Sequence, residues 1–138
     1  WEQFTDIAEK AGCFVVGRKT YEVVKEWDNH SYEDVEAERL VLSNKENYEV
    51  DENFTLVDEV EEAVQIAKNN NCDLVVTGGS EANSSFSEKQ LIDRFIINVE
   101  PVLIGQGHSI LADKCNQELK FVRMSRNNSI LTLEYVSK

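Results

Sequence analysis

Groups that commonly hold metal ions or form disulfides are scarce in this sequence. The three cysteines, Cys13, Cys72 and Cys115, are odd in number and show no paired spacing, which favours free thiols over a disulfide framework. Two of them stand at the start of predicted strands, so we expect buried or half-buried side chains. His30 and His108 lie far apart, without cysteines or carboxylates at ligand spacing. We therefore expect no metal site, and the free thiols indicate a cytoplasmic protein.

Long apolar runs and clustered positive charge are also missing. No run approaches the roughly 18 residues of a membrane-spanning helix, and no signal peptide is recognisable. The 26 acidic residues outnumber the 14 basic ones, which gives a formal net charge of −12. Nucleic acids and anionic membranes bind surfaces rich in positive charge, so neither is expected as a partner. An anionic ligand would need local cations, for which Arg18, Lys19 and Lys45 are candidates.

The length and composition suit one globular domain. A chain of 138 residues with 41% hydrophobic residues can form a single hydrophobic core. The sequence starts at Trp1 and not at a methionine, and its first residues already have the spacing of a helix. We therefore expect a single domain over residues 1–138 that is incomplete at its N-terminus.

Helical and strand-like patterns alternate over the first hundred residues. Apolar residues at helical spacing predict helices over 2–10, 19–26 and 58–69, with a short helix after residue 80. Short apolar or alternating runs predict strands over 13–16, 39–43, 54–57, 73–77 and 94–99. This alternation is typical of an α/β protein with a parallel sheet.

The remaining segments predict loops and a C-terminal hairpin. Residues 27–36 are polar, and residues 101–109 are rich in glycine, so both are predicted as loops. Two strand patterns, 119–124 and 130–136, flank the polar turn 125–128. The predicted fold class is therefore α/β, with a mainly parallel sheet that is flanked by helices and has a C-terminal antiparallel hairpin at its edge.

One strand-to-helix junction lies at residues 74–82, where an apolar run stops at two glycines. Gly78 and Gly79 allow backbone angles that side chains forbid, and they let a ligand approach closely. Ser80 follows and can cap the next helix, whose N-terminus offers N–H groups to an anion. An ordinary strand-to-helix turn would show the same local pattern, since a glycine pair is a weak signal.

A second junction of the same type stands earlier in the chain. The apolar run 13–16 ends at Gly17, and Arg18, Lys19 and Thr20 begin the next helix. Cations are unfavourable at a helix N-terminus, so these two favour an anion nearby, although a solvated helix start is the alternative. In a parallel sheet both junctions lie at the carboxyl edge, where open α/β sheets bind ligands. Together they predict a phosphate-bearing cofactor between the two turns.

Three stretches carry a resemblance to a known family. Residues 17–22, residues 77–81, and residues 91–93 leading to 99–107 occur in that order. Together they resemble the dihydrofolate reductase superfamily. The Pro-Val-Leu-Ile-Gly-Gln-Gly stretch over 101–107 resembles its branch related to the bacterial riboflavin-biosynthesis reductase domain, the RibD C-terminal domain. The resemblance covers nearly the whole chain.

The resemblance implies a cofactor, NADPH, and hydride transfer to a pteridine or a pyrimidine. In the family one turn binds phosphate, a second lies near the adenosine 2′-phosphate, and a third cradles the pyrophosphate and approaches the nicotinamide. The residues that match these turns are Gly17, Arg18, Lys19 and Thr20; Ser43, Asn44 and Lys45; and Thr77, Gly78, Gly79, Ser80, Glu81 and Ala82. The family's Gly–Gly peptide bond in the third turn is usually cis, and we expect the same here.

The substrate half of the site is less defined. The N-terminal strand of the family, with its Ser-Leu-Asp-Gly-like turn, has no match in this sequence. Trp1 and Phe4 either face a substrate or pack in the core. No proton donor stands out among 26 carboxylates. We expect an NADPH-dependent reductase of a small molecule, and a nucleotide-binding module of the same fold without turnover is the alternative.

The resemblance also implies a homodimer, because relatives on this branch often form one. The predicted C-terminal hairpin carries Phe121, Leu131, Leu133 and Tyr135, some of which we expect on an exposed apolar face. We predict that sedimentation at micromolar concentration will give the mass of a dimer. A monomer mass at that concentration would count against the prediction.

Overall fold

A parallel sheet of four strands organises residues 1–83, the first of two compact units in this computed structural model. The structure describes residues 1–112 and 115–138. The strands of the sheet are β1 (Gly12–Gly17), β2 (Glu38–Leu42), β3 (Thr55–Val57) and β4 (Asp73–Val76). Their order is β3-β2-β1-β4, and all three pairings are parallel, as predicted. The first strand therefore lies inside the sheet, between β2 and β4.

Helices cover both faces of this sheet. The helices α1 (Glu2–Ala11) and α2 (Arg18–Lys25) pack on one face, α1 against β1 and β4 and α2 against β1 and β2. The helix α3 (Val60–Asn69) contacts all four strands. It covers the other face, because the β3–α3–β4 connection runs in the opposite direction to β1–α2–β2 and such crossovers are right-handed. Coverage of both faces explains why β1 is apolar along its length.

The main cluster of buried residues lies between the sheet and the helices α1 and α2. Its members come from these elements and from the loops around them: Ala8, Phe14, Val16, Tyr21, Val24, Tyr32, Val35, Val41 and Phe54. Trp1 and Phe4 pack against this cluster, which matches the core-packing alternative of the sequence analysis. The buried Tyr21 hydroxyl donates to Asp51 Oδ2 at 2.9 Å and accepts from Asp51 N at 3.1 Å. The hydroxyl oxygen therefore both donates and accepts a hydrogen bond inside the core.

The predicted loop over 27–36 contains a regular element that the sequence pattern does not reveal. A short 3₁₀ helix spans Tyr32–Asp34. Arg39 in β2 holds it in place, because its Nε donates to Tyr32 O at 3.0 Å and its Nη2 donates to Glu33 O at 2.8 Å. This turn buries the Tyr32 ring in the core.

Residues 84–138 form the second unit, which contains an antiparallel sheet of three strands. The helix α4 (Ser80–Glu88) begins in the first unit and ends in the second. The strands β5 (Arg94–Val99), β6 (Leu119–Asn127) and β7 (Ile130–Ser137) have the order β5-β7-β6. Because β5 pairs with β7, the hairpin belongs to a separate sheet and is not an edge of the parallel one. The predicted loop over 101–109 has neither helix nor strand.

The hairpin strands are longer, and their turn is shorter, than the sequence predicts. The residues at 125–127 continue β6, and Asn127 still pairs with Ile130. The turn is thus reduced to Asn128 and Ser129. Asn128 has φ +56°, a left-handed conformation that asparagine tolerates better than most residues. This tolerance lets the strands pair up to a two-residue turn.

A buried carboxylate lies in β7, the central strand of the antiparallel sheet. Glu134 is 6% exposed. Arg94 in β5 places its Nε 3.3 Å from Glu134 Oε1, and Arg123 in β6 donates to Glu134 Oε2. Two guanidinium groups therefore compensate a charge that is removed from water.

The cysteines are free thiols, as predicted. Cys13 is buried, and Cys72 and Cys115 are half-buried. Burial raises the pKa of the Cys13 thiol to about 12, so it stays protonated at neutral pH. Over residues 1–112 and 115–138, no helix has the length and apolar character needed to cross a membrane.

Gly12 provides a test of the packing where α1 ends beside Cys72. It ends α1 with φ +94°, and a Cβ built on it would lie 2.7 Å from Cys72 Sγ. We predict that Gly12→Ala lowers the free energy of unfolding by about 2 kcal/mol or more, because the alanine adds both backbone strain and a clash. Urea denaturation measures this change. Gly105→Ala is the matched control, since its Cβ would meet nothing within 4 Å, and an equal loss there would contradict the explanation.

Candidate functional site

The three turns that match the family's cofactor-binding turns lie at one edge of the parallel sheet. The first turn (17–20) begins at the last residue of β1. The second turn (43–45) follows β2, and the third (77–82) follows β4. Since β1 lies between β2 and β4 in a parallel sheet, all three turns lie at its carboxyl edge. The structure therefore brings the predicted residues together within the first unit, while their role in binding stays a prediction.

The first and third turns are in direct contact. Gly17 N donates to Gly78 O at 2.7 Å, and Thr77 N donates to Val15 O at 3.0 Å, which continues the β1–β4 pairing. After β1 the chain moves outward to β2 and β3, and it then returns to β4 on the other side of β1. The strand order reverses at this point. Open α/β sheets bind ligands in the crevice that such a reversal creates.

Glycines reduce crowding where these two turns meet. A Cβ on Gly17 would lie 3.3 Å from Ala82 Cβ and 3.5 Å from Gly78 O. A Cβ on Gly79 would lie 2.9 Å from Thr20 Oγ1. The Gly78–Gly79 peptide bond is cis, which confirms the prediction from the resemblance. The glycines therefore let the two backbones approach to hydrogen-bonding distance.

Two helices begin beside this contact. The helix α2 starts at Arg18 and α4 starts at Ser80. Ser80 is thus the first helical residue, and the residue before it is Gly79, whose carbonyl accepts from Asn83 N at 3.0 Å. Both helix N-termini direct N–H groups and positive dipole ends toward the same edge. The arrangement suits a group with several negative oxygens.

An exposed ion pair also links the first and third turns. Lys19 Nζ lies 3.2 Å from Glu81 Oε1, and both side chains are largely exposed. A pair of this kind contributes little stability, because water screens it. Lys19 is therefore not committed strongly to Glu81 and stays a candidate for anion binding.

Arg18 and Lys45 connect the first and second turns through one aromatic ring. Arg18 Cζ and Lys45 Nζ each lie 5.8 Å from the centre of the Tyr48 ring. Arg18 Nη1 also donates to both Glu22 carboxylate oxygens, at 3.1 and 3.2 Å. In the second turn, the Ser43 hydroxyl accepts from Lys45 N at 3.1 Å. Cations that follow two neighbouring strands thus converge on one place.

Glu22 and Tyr48 belong to this place, although sequence reasoning missed both. The Arg18 hydrogen bonds hold the pKa of Glu22 below its usual value, so its carboxylate is ionised at neutral pH. Burial and the Glu22 carboxylate raise the pKa of Tyr48 to about 12. Glu22 stands four residues after Arg18, the spacing at which helical side chains pair, and this signal could have revealed it. Nothing in the sequence marks Tyr48.

An aromatic cluster lies where α1 begins. Trp1 stacks on His30, with ring centres 5.0 Å apart and planes inclined by 14°, and it meets Trp27 edge-on at 6.1 Å. Tyr32 packs against Trp1 at 5.4 Å between ring centres. The Tyr32 hydroxyl lies 3.3 Å from Thr77 Oγ1. The cluster is therefore in contact with the third turn.

A cavity of about 270 Å³ opens beside the aromatic cluster, within the first unit. Its lining includes Trp27 and Tyr32 from the cluster, residues of α2, and Asp51. Hydrogen bonds from Lys25 and Tyr21 hold the pKa of the Asp51 carboxyl below its usual value. The cavity thus combines aromatic faces with a carboxylate that is ionised at neutral pH.

Solved structures with this arrangement include proteins named as RibD or as a riboflavin biosynthesis protein. A provisionally named riboflavin biosynthesis protein from Shewanella sp. PV-4 superposes with a TM-score of 0.81 at 20% identity, over 98% of this chain and 78% of that one. Acinetobacter baumannii RibD gives 0.75 at 15% identity, over 99% of this chain and 50% of that one. The Thermotoga maritima diaminohydroxyphosphoribosylaminopyrimidine deaminase/5-amino-6-(5-phosphoribosylamino)uracil reductase gives 0.70 at 14% identity, over 99% and 48%. At these low sequence identities, the structural similarity shows the fold of this chain and not its activity.

The chain belongs to the RibD C-terminal domain family, whose model matches residues 2–132. Two Bacillus subtilis proteins that carry the description "uncharacterized" are similar in sequence. YwjB is 26% identical over 137 residues, which is 96% of this chain and 78% of YwjB. YyaP is 26% identical over 124 residues, which is 80% of this chain and 64% of YyaP. The resemblance seen in the sequence is therefore confirmed at the level of the family.

The contact between Tyr32 and the third turn can be tested by a double-mutant cycle. Tyr32→Phe leaves Thr77 without this partly buried partner, so we predict a loss of about 1 kcal/mol in the free energy of unfolding. Thr77→Val removes the other hydroxyl, and the double variant should lose less than the sum of the single variants. Urea denaturation of the four proteins gives the values. Strict additivity would show that the two hydroxyls do not interact.

Proposed function

We propose that the protein is a reductase that binds NADPH and transfers hydride to a pteridine or a pyrimidine. The observation that carries this proposal is the backbone contact between Gly17 and the Gly78–Gly79 pair at the strand reversal. The N-termini of α2 and α4 flank the contact. Backbone N–H groups at two helix N-termini suit a pyrophosphate, and a β-carbon on Gly17 or Gly79 would narrow this cradle.

The residues present fit such a cofactor. The N–H groups of the first and third turns would hold the pyrophosphate. Arg18, Lys45 and Ser43 would hold the 2′-phosphate, which a protein of net charge −12 would otherwise repel. When bound, NADPH supplies the hydride, and the residues of this chain bind and orient it.

The cavity beside the aromatic cluster supports a planar substrate. Trp27 and His30 line it and are exposed, so their rings are available for stacking on a heterocycle. Tyr32 lines the same cavity and contacts Thr77, which connects the cavity with the proposed cofactor site. The uracil reductase in the name of the Thermotoga maritima protein favours a pyrimidine, and a pteridine contains a pyrimidine ring fused to a pyrazine.

A homodimer in the cytoplasm is part of the proposal. Phe121, Val122 and Met124 of β6 are exposed apolar side chains, as a subunit interface on the hairpin requires. The three free cysteines suit a reducing compartment.

A nucleotide-binding module without turnover is the second candidate. The observation that favours it is the state of Asp51, because its lowered pKa makes this carboxyl of the cavity a poor proton donor at neutral pH. Oxidation of NADPH, followed by absorbance with a panel of pteridines and pyrimidines, separates the two candidates. Tight NADPH binding without oxidation by any member of the panel would favour the module.

Arg18 provides the test of cofactor choice, because a guanidinium can bind the 2′-phosphate through two hydrogen bonds. Charge-assisted hydrogen bonds contribute about 1.5–3 kcal/mol each, so we predict that Arg18→Ala weakens NADPH binding by roughly 10- to 150-fold and leaves NADH nearly unchanged. Fluorescence titration measures both affinities.

The control is Lys10→Ala, which removes an exposed cation in the last turn of α1. Equal weakening of both cofactors in Arg18→Ala would assign Arg18 to the shared pyrophosphate. No change in either affinity would show that the first turn does not bind the cofactor.

A further inference from the structure

A carboxylate occupies the place where Arg18 and Lys45 converge. Arg18 Nη1 contacts both oxygens of Glu22, and the two cations share the Tyr48 ring. The Glu22 side chain is 45% exposed and that of Arg18 is 25% exposed, so a ligand can reach both. The strongest cation of the proposed 2′-phosphate site is thus already paired with an anion.

The charges of this cluster act in opposite directions on the two dinucleotides. A 2′-phosphate gains from Arg18 and Lys45, but it faces the negative charge of Glu22 at close range. A ribose 2′-hydroxyl carries no charge and can donate a hydrogen bond to a carboxylate. Dinucleotide sites commonly separate the two cofactors on this basis, with an acidic residue for the hydroxyl and an arginine for the phosphate. This cluster holds both residue types together.

We propose that Glu22 determines cofactor specificity: its carboxylate neutralises Arg18 and so allows the unphosphorylated dinucleotide to compete with the 2′-phosphorylated one. This inference depends on the proposed function, because it assigns a role within the same site. Arg18 then has two partners, Glu22 when the ligand has a hydroxyl and the phosphate when it is present. The protein accepts both NADH and NADPH, with a preference that Glu22 reduces.

Tyr48 helps to hold Arg18, and with it the paired Glu22, at the proposed 2′-phosphate site. Its ring lies 5.8 Å from both Arg18 Cζ and Lys45 Nζ, so it attracts both cations to one side of the loop after β2. The nearby Glu22 carboxylate is one cause of the raised pKa of Tyr48. The ring therefore holds both cations in one place, and Arg18 in turn binds Glu22 directly.

The experiment compares the binding of NADPH and NADH in the purified full chain by fluorescence titration at fixed low salt. In Glu22→Gln the amide keeps the shape of the side chain and removes its charge. We expect the ratio of NADPH to NADH affinity to rise about tenfold, the effect of one charge-assisted contact. Glu49→Gln is the matched control, because it makes the same change of net charge at an exposed residue next to Tyr48, and its ratio should stay within about twofold of the parent.

A second variant separates the role of Glu22 from general electrostatics. In the Arg18→Ala background the carboxylate has lost its guanidinium partner, so Glu22→Gln should change the ratio by a different factor than in the parent chain. The same factor in both backgrounds would overturn the proposed pairing. Thermal unfolding of each variant confirms that the fold is retained.

The outcomes are distinct. An unchanged ratio in Glu22→Gln, or an equal rise in Glu49→Gln, overturns the role of Glu22 and leaves the proposed function standing. Weaker binding of both cofactors in Glu22→Gln also overturns it, since Glu22 would then only support Arg18. Failure of the parent chain to bind either cofactor overturns the proposed function, and this inference with it.

Discussion

The close approach of two backbones, at Gly17 and Gly78, is the constraint on which the candidate site depends. A 2.7 Å hydrogen bond joins the ends of β1 and β4, and a Cβ added to Gly17 or Gly79 would crowd Ala82 or Thr20. The contact fixes where α2 and α4 begin, and therefore where their N-terminal N–H groups lie. It also sets the position of Arg18, which follows Gly17 directly, and of Thr77, which precedes Gly78. The polar groups of the site are thus arranged by a contact that contains none of their side chains.

The sequence predicts this part of the molecule well because its signals are local. An apolar run that stops at glycine marks the end of a strand, and the same pattern at Gly17 and Gly78 places both turns at one sheet edge. The helices also follow from apolar spacing, and Val60, Ala63 and Ala67, which have this spacing in α3, are buried. The order of three short motifs was sufficient to indicate the family.

The parts that the sequence does not predict depend on contacts between distant residues. Tyr48 acquires its role only when the loop after β2 folds beside α2. The Tyr32–Asp34 turn depends on Arg39 from the following strand. The strand β5 reads like the others, but its partner is β7, and the pairing of strands is a choice between long-range alternatives. Local pattern carries little information about any of these.

The buried Glu134 of the antiparallel sheet has a further consequence for how that sheet forms. Side chains alternate between the faces of a strand, so a slip of β7 by one residue would turn Glu134 to the opposite face and separate it from Arg94 and Arg123. An uncompensated charge would then remain next to apolar neighbours, which is strongly unfavourable. Most of β6 is exposed and offers little apolar contrast between its faces. The ion pairs of this carboxylate therefore select one register of the three strands among those that backbone hydrogen bonding alone would permit.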